Sequence, residues 1–198
     1  MIGFIFLDAL RSTEYLASAA GDAARIRTGV IILLANCALT IGISITAWRV
    51  IRAYSQPMAM WLIIFAVFMF VMQAVDSVHI MSMLSLSQQY AEGGGHADVY
   101  NALAASVRTT RRWAHYFELA AIDVWIGMFF TILLRFAFVP RWLAAIGILT
   151  VVLHFVAIPL AAFLSYGITT NLGVPMAFGL LATAVWLMVR GFADREDG

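Results

Sequence analysis

The chain is short of charge. Only 12% of its 198 residues are Asp, Glu, Lys or Arg, where a soluble domain carries about 25%. With 63% hydrophobic residues and a mean hydropathy of +0.92, this excludes a water-soluble single domain and a disordered chain. The 12 basic residues are all arginine and the formal net charge is +1. Bulk charge therefore calls for no anionic partner, and nucleic acid is excluded as one. The only cysteine, Cys37, lies inside an apolar run, so no intrachain disulfide can form. The sequence also lacks a Walker motif, a dinucleotide fingerprint, a nucleophile elbow, a His-Glu-x-x-His pair, a cysteine-based metal motif and any internal repeat.

Long charge-free runs are what it has instead. A membrane-crossing helix needs about 20 mostly apolar residues. No charge occurs between Arg27 and Arg49, nor from Ala53 to Val75, and none between Trp142 and Val189. The last run is too long for one crossing and is divided by the Gly- and Pro-containing stretch from Tyr166 to Pro175. The glycines at 93, 94 and 95 and the Val139-Pro140 pair mark two further turns. The fold class is therefore all-α, an integral membrane helical bundle. About five transmembrane helices are expected, over residues 28–50, 57–90, 100–136, 141–165 and 173–191, within a bundle spanning 25–193.

Residues 1–24 are expected to form an amphipathic or interfacial helix, and 194–198 a polar tail. Residues 1–10 are too short to span and contain Asp8, which argues against a signal peptide. Trp48, Trp61, Trp113 and Trp142 stand near the expected span ends, as interfacial anchors do. Arginines tie between the two sides, and the arginine-free loop between helices four and five places the C-terminus inside. The expected location is a bacterial inner (cytoplasmic) membrane. The lipid bilayer is the first partner, with membrane-protein partners or a second copy of the chain as further ones.

Four short segments fall at corresponding punctuation points: Glu14-Tyr-Leu-Ala-Ser-Ala-Ala20, Leu84-Ser-Leu-Ser-Gln-Gln-Tyr90, Val139-Pro-Arg-Trp-Leu-Ala-Ala-Ile-Gly147 and Val185-Trp-Leu-Met-Val-Arg-Gly-Phe192. Together they resemble the DUF4386 family of small bacterial multi-pass membrane proteins. The resemblance implies one more helix ahead of Tyr15, of which residues 1–10 would be the remainder, with the native start upstream of Met1. It also implies an acidic residue in the last helix, where this chain reads Phe178-Gly-Leu180. It implies no chemistry, so any site must be read from the residues themselves.

Ionisable side chains inside a bilayer are costly and mark candidate sites. Asp123 and His154 each lie about 15 residues from the Val139 turn, roughly 23 Å along their helices at 1.5 Å per residue. Adjacent helices would then set the carboxylate opposite the imidazole, as a proton-relay or cofactor-holding pair or as an interhelical clasp.

A second group comes from helices two and three. Asp76 and His79 are three residues apart, and Arg111, His115 and Glu118 share one stripe. Folding at the glycines brings the two stripes to one height. Asp76, His79, His115 and Glu118 are the candidate metal ligands, a set suited to Zn, Mn or non-haem Fe. His79 and His115 on facing helices, or His154 with Asp123, are the alternative holders of a haem or other cofactor. The plain structural reading pairs Arg111 with Glu118 and Asp76 with His79 as ion pairs.

Two functions follow from these residues. One is a non-catalytic subunit or a protein that binds a lipophilic ligand or cofactor. The other is a metal- or haem-dependent membrane enzyme acting on a lipid, quinone or isoprenoid, with Asp76, His79, His115 and Glu118 at its site.

Overall fold

The structure, a computed structural model, describes residues 6–12, 14–93, 97–164, 167 and 169–191. The expected polar tail lies outside the described residues. All regular structure among the described residues is helical: α1 (Asp8–Arg11), α2 (Tyr15–Ser18), α3 (Ala23–Ile51), α4 (Gln56–Ala91), α5 (Ala97–Arg135), α6 (Arg141–Leu164) and α7 (Thr169–Arg190).

The five long helices are each long and apolar enough to cross a membrane. Their outward faces carry large apolar side chains: Leu39, Val78, Phe117, Phe155, Phe163 and Met188 are all exposed. A water-soluble surface rarely gathers so much exposed apolar area. The protein is a multi-pass helical bundle whose environment is the lipid bilayer.

Local chemistry sets the helix ends. Ser55 precedes α4 and its Oγ accepts from the Met58 N–H at 3.5 Å, while Pro57 sits in the first turn, where its missing N–H costs nothing. After α4 the chain turns at Gly93 with φ 94°, the left-handed conformation glycine adopts without a Cβ penalty. Ala137, with φ 53°, turns the chain between α5 and α6 ahead of Pro140.

The chain divides into two compact units. The first comprises Met1–Ile41 and Phe68–Glu118. Its apolar cluster seats Leu7, Leu10, Tyr15 and Leu16 against Ile80, Met83 and Leu84 of α4. The described part of residues 1–24 forms two four-residue helices rather than one continuous helix. Ser12 explains the break: its hydroxyl accepts the Glu14 N–H at 3.0 Å, offering the backbone an alternative to the helical ladder. Ser87 pins this segment to α4, accepting from the Ala20 N–H and donating to the Leu16 carbonyl, both at 2.8 Å. Arg108 of α5 lies 5.0 Å over the Tyr15 ring and donates to the Ser12 carbonyl.

The second unit comprises Gly42–Val67 and Leu119–Gly198. In it α6 packs along α7. Gly147 of α6 meets the Phe130 ring of α5 so closely that a Cβ there would lie 2.3 Å from it. Trp125 donates its Nε1 hydrogen to Ser44 Oγ at 3.0 Å, satisfying a buried indole. Tyr54 packs against Phe136 and Phe138, with ring centroids 5.3 and 4.9 Å away.

Candidate metal centre and a buried Asp–His pair

In the first unit, Asp76 on α4 meets His115 and Glu118 on α5. One ligand-capable atom from each of the three lies within 4.8 Å of the others. The spacing on α5 makes this work: three residues is nearly one helical turn, so His115 and Glu118 project from one face. Their side chains are hydrogen bonded, His115 Nδ1 to Glu118 Oε2 at 2.8 Å. Asp76 is 0% exposed and Glu118 1% exposed, whereas His115 is half-buried.

The ion pairs differ from the plain structural reading of the sequence. Arg111 Nε faces Asp76 Oδ1 at 3.5 Å, and His115 faces Glu118. Each pair crosses the expected one because α5 turns Arg111 toward α4 and leaves Glu118 to the imidazole one turn away. His79 is half-buried and is not among the three residues that meet.

The Asp76–Arg111 contact does not satisfy either group. Both Asp76 oxygens and Arg111 Nε are buried atoms with no hydrogen-bond partner. At 3.5 Å the pair is charge beside charge, short of hydrogen-bond geometry. A buried carboxylate that is ionised and without hydrogen bonds costs several kcal/mol.

Two residues that sequence reasoning passed over share the patch. Gln73 Nε2 and Ser77 Oγ are also buried and unpartnered. They precede and follow Asp76 on α4, within an arc of about 100° around the helix. That spacing was a usable signal: a Gln-x-x-Asp-Ser stripe in an apolar helix already marks a polar face. Among the described residues, five of the six buried unpartnered side-chain N and O atoms belong to Gln73, Asp76, Ser77 and Arg111.

Ligands on one Zn, Mn or Fe ion at about 2.0–2.2 Å stand roughly 3–3.5 Å apart. The set here is looser, so its members must close on an ion, and the Asp76 oxygens hold no hydrogen bond that opposes this. Two carboxylates and an imidazole fit a borderline or hard transition metal.

The second unit holds the other predicted pair. His154 Nδ1 lies 2.9 and 2.8 Å from the two carboxylate oxygens of Asp123, with both residues buried. The carboxylate fixes the ring, and Nε2 faces α7, where a Cβ on Gly173 would lie 3.6 Å away. The ring thus fills the space between Asp123 and the Gly173 backbone, joining three helices.

These features define a class: a multi-pass helical membrane protein with a buried His–carboxylate cluster beside a cationic side chain. The chain belongs to the family described as "Domain of unknown function (DUF4386)", whose model matches residues 1–191. No curated protein and no solved structure matches it.

Proposed function

We propose that the protein is a cofactor-binding protein of a bacterial inner membrane, and that its cofactor is one divalent transition-metal ion held by Asp76, His115 and Glu118. The observation that carries this reading is the buried Asp76 carboxylate, both of whose oxygens lack a hydrogen bond while standing with His115 and Glu118 in one ligand set. Glu118, bonded to His115 Nδ1, either joins the ion or orients the imidazole so that Nε2 does, an arrangement common around metal-bound histidines. Arg111 then balances charge, and His79 stands outside the ligand set. Asp123 and His154 hold α5 against α6 and α7.

The reading extends to a metalloenzyme acting on a lipid, quinone or isoprenoid. Three protein ligands leave coordination positions open, as catalytic sites do, and half-buried Arg111 and His115 leave an approach. The exposed apolar faces suit lipid, a partner protein or a second copy of the chain.

Titration with Mn2+, read by electron paramagnetic resonance of protein in mild detergent, tests the proposal. One saturable site is expected, lost in Asp76→Ala and in His115→Ala and kept in His79→Ala. Equal binding by wild type and Asp76→Ala would overturn it.

A further inference from the structure

The unpartnered atoms around the cluster are of two kinds. Asp76 offers oxygens, which a cation takes. Gln73 Nε2 and Arg111 Nε are hydrogen donors, which no cation can satisfy, and the Ser77 hydroxyl has a hydrogen to donate; all three atoms are buried without a hydrogen-bond partner. Each such donor carries a desolvation cost, and several in one patch call for a group bearing several acceptor oxygens. Resting on the metal reading above, we infer that the site takes a phosphate group, bound to the ion through one oxygen and to these three donors through the others.

Charge agrees with that assignment. Two carboxylates, one guanidinium and a divalent ion leave a single positive charge when His115 is neutral, which an anion neutralises. Shape agrees too. A carboxylate has two oxygens for an ion and three donors, whereas a tetrahedral phosphate has enough to meet them all, and guanidinium binds phosphate strongly. Gln73 and Ser77 are one turn apart on α4, flanking Asp76, so their donors line one side of the ion position. Arg111 and His115 reach the site from α5 and are the half-buried members, marking where the anion enters.

Depth favours a phosphate as well. Asp76 lies about 30 Å along α4 from Gln56 at 1.5 Å per residue, one hydrocarbon thickness. The charge-free run ends at Val75, and exposed Trp113 stands two residues beyond Arg111 as an interfacial anchor. The donors are therefore at headgroup level, within reach of a lipid phosphate from the bilayer or a free phosphate from solution.

Mn2+-loaded protein in detergent tests the inference, with phosphorus-31 relaxation read for inorganic phosphate and, separately, for dihexanoyl phosphatidic acid. Bound Mn2+ is expected to broaden at least one of the two signals saturably. Broadening of the lipid alone assigns the source to the bilayer, and of inorganic phosphate alone to solution. The double variant Gln73→Leu, Ser77→Ala should weaken that binding about tenfold or more while retaining Mn2+ at the wild-type stoichiometry, which shows that it is folded. Three results would overturn the inference and leave the metal reading standing: no broadening by fully loaded protein, broadening that the double variant does not weaken, or displacement by acetate at equal concentration. If the protein takes up no Mn2+ at all, the metal reading fails and this inference falls with it.

Discussion

His154 Nδ1 meets both carboxylate oxygens of Asp123, at 2.9 and 2.8 Å, with the two side chains buried. A hydrogen bond between transmembrane helices contributes modestly, since the unfolded chain in lipid also finds polar partners. Removing one member costs more than the bond is worth, because the other is left buried and unpaired. Asp123→Leu and His154→Phe should each destabilise the folded bundle by about 2 kcal/mol or more. The double variant should recover about 1 kcal/mol of their sum. Thermal unfolding in detergent of all four proteins gives the coupling, and strict additivity would remove the pair as a clasp.

Gly147 sets the approach of α6 to Phe130. A Cβ at 147 would stand 2.3 Å from the ring, and Phe130 is fully buried, so the ring cannot simply swing away. Gly147→Ala should cost about 1–3 kcal/mol by overpacking, partly restored by Phe130→Leu. Gly127→Ala is the control: its Cβ would meet Val151 at 3.6 Å, an ordinary contact. Melting temperatures of the three variants check this.

Ser87 holds the segment around α2 by two bonds of 2.8 Å. Ser87→Ala strands the Ala20 N–H and the Leu16 carbonyl together and should cost about 2 kcal/mol locally. Faster hydrogen exchange at residues 15–20, with the long helices unchanged, is the expected readout. Ser82→Ala, at an exposed serine bonded to its own helix, should leave exchange unaltered.

Tyr15 supplies an alkaline signature. Burial pushes its phenol above the ordinary tyrosine range, against the opposing pull of Arg108. A group raised on folding contributes stability that is fully present below its unfolded value of about 10. That contribution is lost as pH rises through the folded value. Phenolate absorbance should show one tyrosine ionising later than free tyrosine, missing in Tyr15→Phe, and Tyr15→Phe should lose less stability than wild type above pH 10 or so.

Fold class was legible because the bilayer writes it in one dimension. Charge-free runs of membrane length, with Gly93 and Pro140 between them, give helices and their order without any knowledge of packing. The meeting of Asp123 with His154 was legible for the same reason: height along a helix is counted from a turn.

Rotation about the helix axis was harder. A soluble helix marks its buried face with apolar residues, but a helix in lipid is apolar all round, so the stripe that shows which side faces inward disappears. For that reason sequence spacing alone pairs Arg111 with Glu118 rather than Asp76, and does not separate His79 from His115. Gln73 and Ser77 went unnoticed because neutral polar residues are common in such helices. Only their burial without partners separates them from Ser82, which bonds its own backbone.

The central claim is that Asp76, His115 and Glu118 hold a metal. The measurement that tests it most directly is elemental analysis of protein purified from its native membrane in mild detergent without chelator. About one equivalent of a transition metal per chain is predicted, falling to background in Asp76→Ala protein that still melts cooperatively. Folded wild-type protein that contains no metal, and acquires none when Mn2+, Fe2+ or Zn2+ is supplied, would contradict the account.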